Sequence, residues 1–239
     1  MHDFNTFFDQ VFIINLNERS ERWEKIEQHL KHFGFKNYQR IAAIRPSMDE
    51  LDTETLSELN YGPEHWTVES FPVYLRGATG CLKSHIKALE TAIASDLDNY
   101  LVFEDDAFIL EGSQKTLNQA IQELVRLPSW DMFYLGGRHR SRRPQKSAGK
   151  YLDRVYCTYE AHAYSVNSRF YNDLHQRLIL CQSEIDHFLA EKIHPEFDVY
   201  SCRPLVSFQS GSTSDIFGTP LTTRKKSFIA KVKKLIKKP

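Results

Sequence analysis

Three consecutive acids, Glu104, Asp105 and Asp106, stand directly behind the apolar run Tyr100–Phe103 in the stretch YLVFEDDAFIL. A short apolar run of this composition reads as a buried strand. Ligands of open α/β sheets sit in the crevice beyond the carboxyl ends of such strands, which is where these acids would lie. Side chains alternate across a strand, so Glu104 and Asp106 are expected on one face and Asp105 turned away. Two carboxylates on one face repel each other unless a proton or a cation lies between them. An all-oxygen donor set favours Mg²⁺ or Mn²⁺, ions that keep positions open for water or substrate phosphates. The competing reading is an acidic turn, or a helix start where acids suit the dipole.

The elements that must position these acids alternate in type. QVFIINL (10–16) reads as a buried strand, and after the polar NERSER turn Trp23, Ile26, Leu30 and Phe33 recur at helical spacing up to Gly34. YQRIAAI (38–44) reads as a second strand, and residues 45–76 as an irregular excursion containing Pro46, Pro63 and Pro72. In TGCLKSHIKALETAIAS (79–95), Cys81, His85, Ala88, Leu89 and Ala92 form one stripe of an amphipathic helix. A third helix is expected from Ser113 as N-cap, with Leu117, Ala120, Ile121, Leu124 and Val125 on one face. DMFYLGG (131–137) follows as a strand. RHRSRRPQKSAGK (138–150), with six basic residues, predicts a mobile loop. Strands in RVYCTY, AHAYSV, DVYSC and LVSFQS and helices from Ser168 and in EIDHFLAEKI complete the body. Strands alternating with amphipathic helices predict an α/β fold, a mainly parallel sheet flanked by helices on both faces. One domain, 1–215, and a tail, 216–239, are expected.

The chain has 239 residues, 41% of them hydrophobic, and a formal net charge of zero that hides an asymmetry. Ile216–Pro239 holds eight basic residues and no acid, so the body is acidic. That distribution argues against a nucleic-acid surface, which is basic throughout. Cys81, Cys157, Cys181 and Cys202 form no CxxC pair, and neither a signal peptide nor a membrane-spanning run is recognisable. Four reduced, mostly buried thiols in a cytoplasmic protein are therefore expected. In the tail, Phe228, Ile229, Val232, Leu235 and Ile236 share a helical face and Lys231, Lys233, Lys234, Lys237 and Lys238 fill the rest. This composition predicts peripheral contact with an anionic membrane, at the cytoplasmic face of the inner membrane.

Taken in order, several segments resemble glycosyltransferase family 25, the group of bacterial lipopolysaccharide galactosyltransferases and collagen galactosyltransferase domains. FIINLNERSERWEKI is similar to the family's opening strand and turn, and GATGCLKSHIKALE to its Gly-Cys-x-x-Ser-His block. YLVFEDDAFI resembles its acidic motif and WDMFYLGG its next strand, while AHAYSVNSRFY and EIDHFL resemble later blocks. Lys83 stands where a small residue is commoner, and the 138–150 loop is particular to this chain.

The resemblance implies a GT-A type, Rossmann-like fold and a metal-dependent, inverting transfer of a hexose. The donor implied is UDP-galactose, and the acceptor a lipopolysaccharide or other glycan, including a lipid-linked one. Under this reading Asp106 and Glu104 hold Mn²⁺ (or Mg²⁺) against the diphosphate, with Asp105 behind them or beside the ribose. Asn15, Asn17, Arg19 and Arg22, in the first strand-to-helix turn, would meet the nucleotide. Ser84 and His85 would approach from the second helix, and His162 would contact the donor sugar or the metal. Asp186 is the general base the resemblance suggests, with Glu160 and Asp131 as alternatives. His85 can equally be a satisfied core histidine, and Asp186 a helix cap. Two other classes compete: a UDP-sugar-binding module without turnover, and a metal-dependent nuclease, which would need more carboxylates for two metals.

Overall fold

The structure, a computed structural model, describes residues 3–51, 67, 70–140 and 145–210. The tail, 216–239, lies outside the described residues. The chain opens with α1 (Phe4–Phe7), capped by the Asp3 carboxylate, then β1 (Gln10–Asn15), α2 (Ser20–Phe33) and β2 (Tyr38–Ala42). Next come α3 (Ser70–Ala94), β3 (Asn99–Glu104), β4 (Ala107–Ile109) and α4 (Gln114–Leu124). Four short strands follow: β5 (Met132–Tyr134), β6 (Arg138–His139), β7 (Lys146–Ser147) and β8 (Leu152–Arg154). The body closes with β9 (Thr158–Tyr159), β10 (Ala163–Asn167), α5 (Tyr171–Leu178), α6 (Ile185–Phe188), β11 (Val199–Cys202) and β12 (Ser207–Gln209).

The central strands read as unbroken apolar runs because both of their faces are covered. Val11 and Ile13 of β1, Leu101 and Phe103 of β3 and Phe133 of β5 pack with α1, α2 and α4. Phe12 and Ile14, Tyr100 and Val102, and Met132 and Tyr134 pack on the opposite face with α3 and α5. The main sheet has the order β2-β1-β3-β10-β5-β11-β8-β7. β1 pairs in parallel with β2 and β3, and β5 with β11, whereas β10 and β8 run against their neighbours. Six of the eight strands thus point one way, and the expected mostly parallel sheet between helical layers is what the chain forms.

Local expectations shift in three places. α3 begins at Ser70, not 79, since Pro72 falls in its first turn, where a missing N–H is tolerated. Ser113 precedes α4, but its hydroxyl donates to Leu110 O at 2.6 Å instead of capping the helix. Within the described parts of the basic 138–150 segment, expected as loop, two short strands form. Arg138–His139 pairs with Thr158–Tyr159, and Lys146–Ser147 with Asp153–Arg154. Among the described residues no helix is long and apolar enough to cross a membrane. All four cysteines are free, three of them buried.

Two histidines, His194 buried and His139 half-buried, brace the far half of the sheet. The Thr158 N–H donates to His194 Nδ1 at 3.1 Å, so the proton sits on Nε2, 3.0 Å from the Tyr134 hydroxyl. Burial lowers the His194 pKa to about 3 and that of His139 to about 4. Unfolded histidines protonate near pH 6.5, so between pH 6.5 and 5 the unfolded chain binds more protons than the folded one. Stability from these two sites is complete above pH 6.5 and declines as pH falls toward 4. Urea midpoints measured across that range should drop on acidification, and His194→Gln should flatten part of the slope. A midpoint constant from pH 7 to 5 would contradict the buried neutral histidines.

Candidate active site

Glu104 ends β3 on the face of Tyr100 and Val102, so alternation turns it toward α3. There its Oε1 lies 3.7 Å from Cys81 Sγ and 3.5 Å from His85 Nε2. Antiparallel pairing of β12 with β4 brings Gln209 beside it, and the amide donates to Glu104 Oε2 at 3.2 Å. Burial alone would raise this carboxyl, but the neighbouring His85, then His162 and Gln209, outweigh it and leave the pKa lowered.

The chain turns at Asp105 and Asp106 before β4, and the strand period ends there. Asp105 faces away from Glu104, as alternation expects, yet it still lines the cavity. It reaches the end of β1, where Asn15 Nδ2 donates to Oδ2 at 2.7 Å and Arg22 Nη1 to Oδ1 at 3.0 Å. Burial still raises its pKa, against the pull of Asn15 and Arg22. Asn15 is itself fixed: its amide also donates to Arg19 O at 3.1 Å, and Arg40 Nη2 donates to its Oδ1. All three acids line one cavity of about 170 Å³ at the carboxyl ends of β1 and β3. Arg22, Arg45 and Arg76 line it too, so carboxylates and guanidiniums face the same space.

The other expected residues fall in distinct places. Asn15, Arg22, Ser84 and His85 line the cavity. Ser84 spends its hydroxyl on structure, accepting from Ile44 N at 2.8 Å and donating to Gly80 O at 2.6 Å. This junction needs Gly80, because a Cβ there would sit 2.5 Å from Ile44 O. His85 is buried with Nδ1 2.9 Å from the Tyr164 hydroxyl. Asn17 is exposed, and Arg19 pairs with Glu21 at 3.6 Å; neither lines the cavity. His162 is fully buried, and its carbonyl accepts from Glu104 N–H at 3.0 Å. Gly136 makes room for it, since a Cβ there would lie 2.4 Å from His162 Nε2.

Asp186 stands in the first turn of α6, which the Tyr74 hydroxyl ties to α3 by donating to Glu184. Burial pushes its carboxyl above the usual aspartate range, and the nearby charge of Glu104 adds to the rise. Glu160, at φ 70°, turns its N–H onto Asp186 Oδ2 at 3.3 Å. Asp131, by contrast, precedes β5 at the opposite end of the sheet, accepting from Asp198 N at 2.7 Å and pairing with Arg169 at 3.6 Å. It belongs to the scaffold. Arg40, Arg45, Arg76 and Gln209 carry no motif of their own, and the fold gathers them from three segments, β2 with the residues after it, α3 and β12. Cys81 was read only as part of an apolar stripe, although it lines the cavity. The position of Arg45, one residue before Pro46 and just past β2, was the available signal: it follows a strand's carboxyl end.

The sequence model of glycosyltransferase family 25, described as an LPS biosynthesis protein, matches residues 8–186. The chain belongs to glycosyltransferase family 25. Inactive glycosyltransferase 25 family member 3 of Mus musculus is 29% identical over 139 residues, covering 54% of this chain and 22% of that protein. Procollagen galactosyltransferase 2 of Mus musculus is 23% identical over 163 residues, covering 64% of this chain and 24% of that protein. This chain thus spans about a quarter or less of these relatives' length. Among solved structures, a glycosyltransferase involved in glycosylation of the major capsid of PBCV-1 aligns with a TM-score of 0.37 and 10% identity, over 70% of this chain and 62% of that one.

The Arg22–Asp105 ion pair, at 3.0 Å, is a nearly buried contact of the cavity wall. Removing a partner from a nearly buried ion pair leaves the other charge uncompensated. Arg22→Ala should destabilise the fold by about 2–3 kcal/mol, and Asp105→Asn in that background should recover at least about 1 kcal/mol. Urea denaturation of the four members of the cycle checks this. Strictly additive losses would show that the pair is not coupled.

Proposed function

We propose that the cavity binds a nucleoside diphosphate hexose, UDP-galactose foremost, and that the chain transfers the hexose to a glycan acceptor with inversion. The observation that supports this reading is the meeting of three carboxylates and three arginines in one cavity at the strand ends. Guanidiniums suit phosphate oxygens, and carboxylates suit a hard divalent ion. The oxygen donors of Asp106 and Glu104 fit Mn²⁺ or Mg²⁺, which when bound supplies positive charge to the departing diphosphate.

The remaining work falls to this chain's own side chains. Asn15 and Arg22 hold Asp105 at the nucleotide end, which keeps that wall of the cavity in place. Arg45 and Arg76, anchored at 3.0 Å on Glu18 and at 2.6 Å on Pro46 O, present positive charge to the phosphates. Asp186 takes the proton of the acceptor hydroxyl as its oxygen bonds to the anomeric carbon and the bond to the diphosphate breaks. A carboxyl raised by burial is a stronger base, provided it is ionised at the working pH. Since its folded pKa lies above the ordinary range, the acid limb of kcat/KM should lie above that range as well.

The curated relatives include proteins named as galactosyltransferases and as inactive members, so turnover has to be tested on this chain. Incubation with Mn²⁺ and a panel of UDP-sugars, with UDP release as readout, is the direct assay. Release should be greatest with UDP-galactose, and Asp186→Asn should lower kcat by about 10²–10⁴-fold and abolish the acid limb. UDP binding with no release from any donor would instead support a binding module.

A further inference from the structure

Cys81 and His85 lie one turn apart on α3, so their side chains share a face. Glu104 meets them from the end of β3. Its Oε1 is 3.7 Å from the Cys81 sulfur and 3.5 Å from His85 Nε2, and the three donor atoms lie within 4.8 Å of one another. Tetrahedral zinc, with sulfur at about 2.3 Å and nitrogen and oxygen at about 2.0–2.2 Å, sets its ligands roughly 3.3–3.6 Å apart. The two measured edges are within a few tenths of an ångström of that spacing.

A second observation points the same way. His85 is only 1% exposed, yet its Nε2 makes no hydrogen bond and is aimed at Glu104. A buried ring nitrogen in that condition is destabilising, and a cation between it and the carboxylate would satisfy both. The other nitrogen, Nδ1, is already placed 2.9 Å from the Tyr164 hydroxyl. Donating Nδ1–H to that oxygen leaves the Nε2 lone pair for a metal, the support that histidine ligands commonly receive.

We propose that Cys81, His85 and Glu104 bind a borderline-soft divalent cation, Zn²⁺ foremost, distinct in donor set from an all-oxygen site at Asp106. Thiolate and imidazole select for such an ion, whereas Mg²⁺ and Mn²⁺ prefer oxygen. On binding, the Cys81 S–H bond gives way to a sulfur–metal bond and the proton passes to solvent. Cys81 is half-buried and lines the cavity, so the ion has a path in. Glu104 is common to both donor sets, so Zn²⁺ here would oppose occupation of the oxygen site. That consequence rests on the proposed function; the binding itself does not.

Cobalt replaces zinc as a coloured probe. Titrating Co²⁺ into the intact chain, with no sugar nucleotide present, should give a thiolate-to-cobalt charge-transfer band that saturates at one equivalent. Zn²⁺ should bleach the band and raise the melting temperature, because it binds the folded chain more tightly than the unfolded one. Cys81→Ser should remove the band and weaken Zn²⁺ binding by about 100-fold or more with circular dichroism unchanged. Should that variant unfold, Glu104→Gln, which keeps the thiol, should still weaken Zn²⁺ binding by about tenfold or more. Asp106→Ala should leave the band intact. Absence of the band from the folded wild-type chain, or its survival in Cys81→Ser, would overturn the proposal. Since no donor enters the titration, failure of transferase activity would leave this result untouched.

Discussion

Repulsion among the carboxylates of Glu104, Asp105 and Asp106 is the constraint around which the rest of the site is arranged. Three successive acids at the end of a buried strand are costly unless each is met separately. Asn15 and Arg22 meet Asp105 from β1 and α2. His85 and Gln209 meet Glu104 from α3 and β12. The groups that compensate the two come from opposite helical layers of the sheet, so the crowding is relieved only when the whole domain has assembled. The site is thus tied to the fold by charge as well as by position.

The topology supplies those partners economically. β1 and β3 lie side by side and parallel, so their carboxyl ends open into one crevice, as open α/β sheets do at their ligand sites. β10 runs the other way beside β3, and this reversal puts the segment before it, with His162, against Glu104. Glycines at 80 and 136 let backbone and imidazole approach where any side chain would collide. Arg45 and Arg76 stay oriented by contacts outside the cavity, with Glu18 and Pro46 O. The result is a cavity whose charges are held in place before any ligand arrives.

Much of this was legible in the residue order, for physical reasons that also explain the failures. Buried strands and amphipathic helices show in the sequence because apolar period reports burial, and β1, β3, α2 and α4 emerged close to their observed places. Strand alternation turned Asp105 to the face opposite Glu104, and so it stands, met by Arg22 of α2 while His85 of α3 meets Glu104. What the period did not show is that the turn leaves both on one cavity wall. Pro72 was read as a breaker and hid the first turns of α3. The strands at 138–139 and 146–147 were invisible, since their pairing is set by β9 and β8 and not by any apolar pattern of their own. Arg40, Arg76 and Gln209 reach the site only through tertiary contacts, which no local window contains.

Transfer from a sugar nucleotide requires this cavity to grip a nucleoside diphosphate together with a divalent ion. Calorimetric titration of UDP into the chain, with and without saturating Mn²⁺, asks that directly. The prediction is one UDP per chain, bound about tenfold or more tightly with the metal, and an enhancement that vanishes in Asp106→Ala. Equal UDP affinity in both conditions, or an enhancement undiminished in Asp106→Ala, would contradict it.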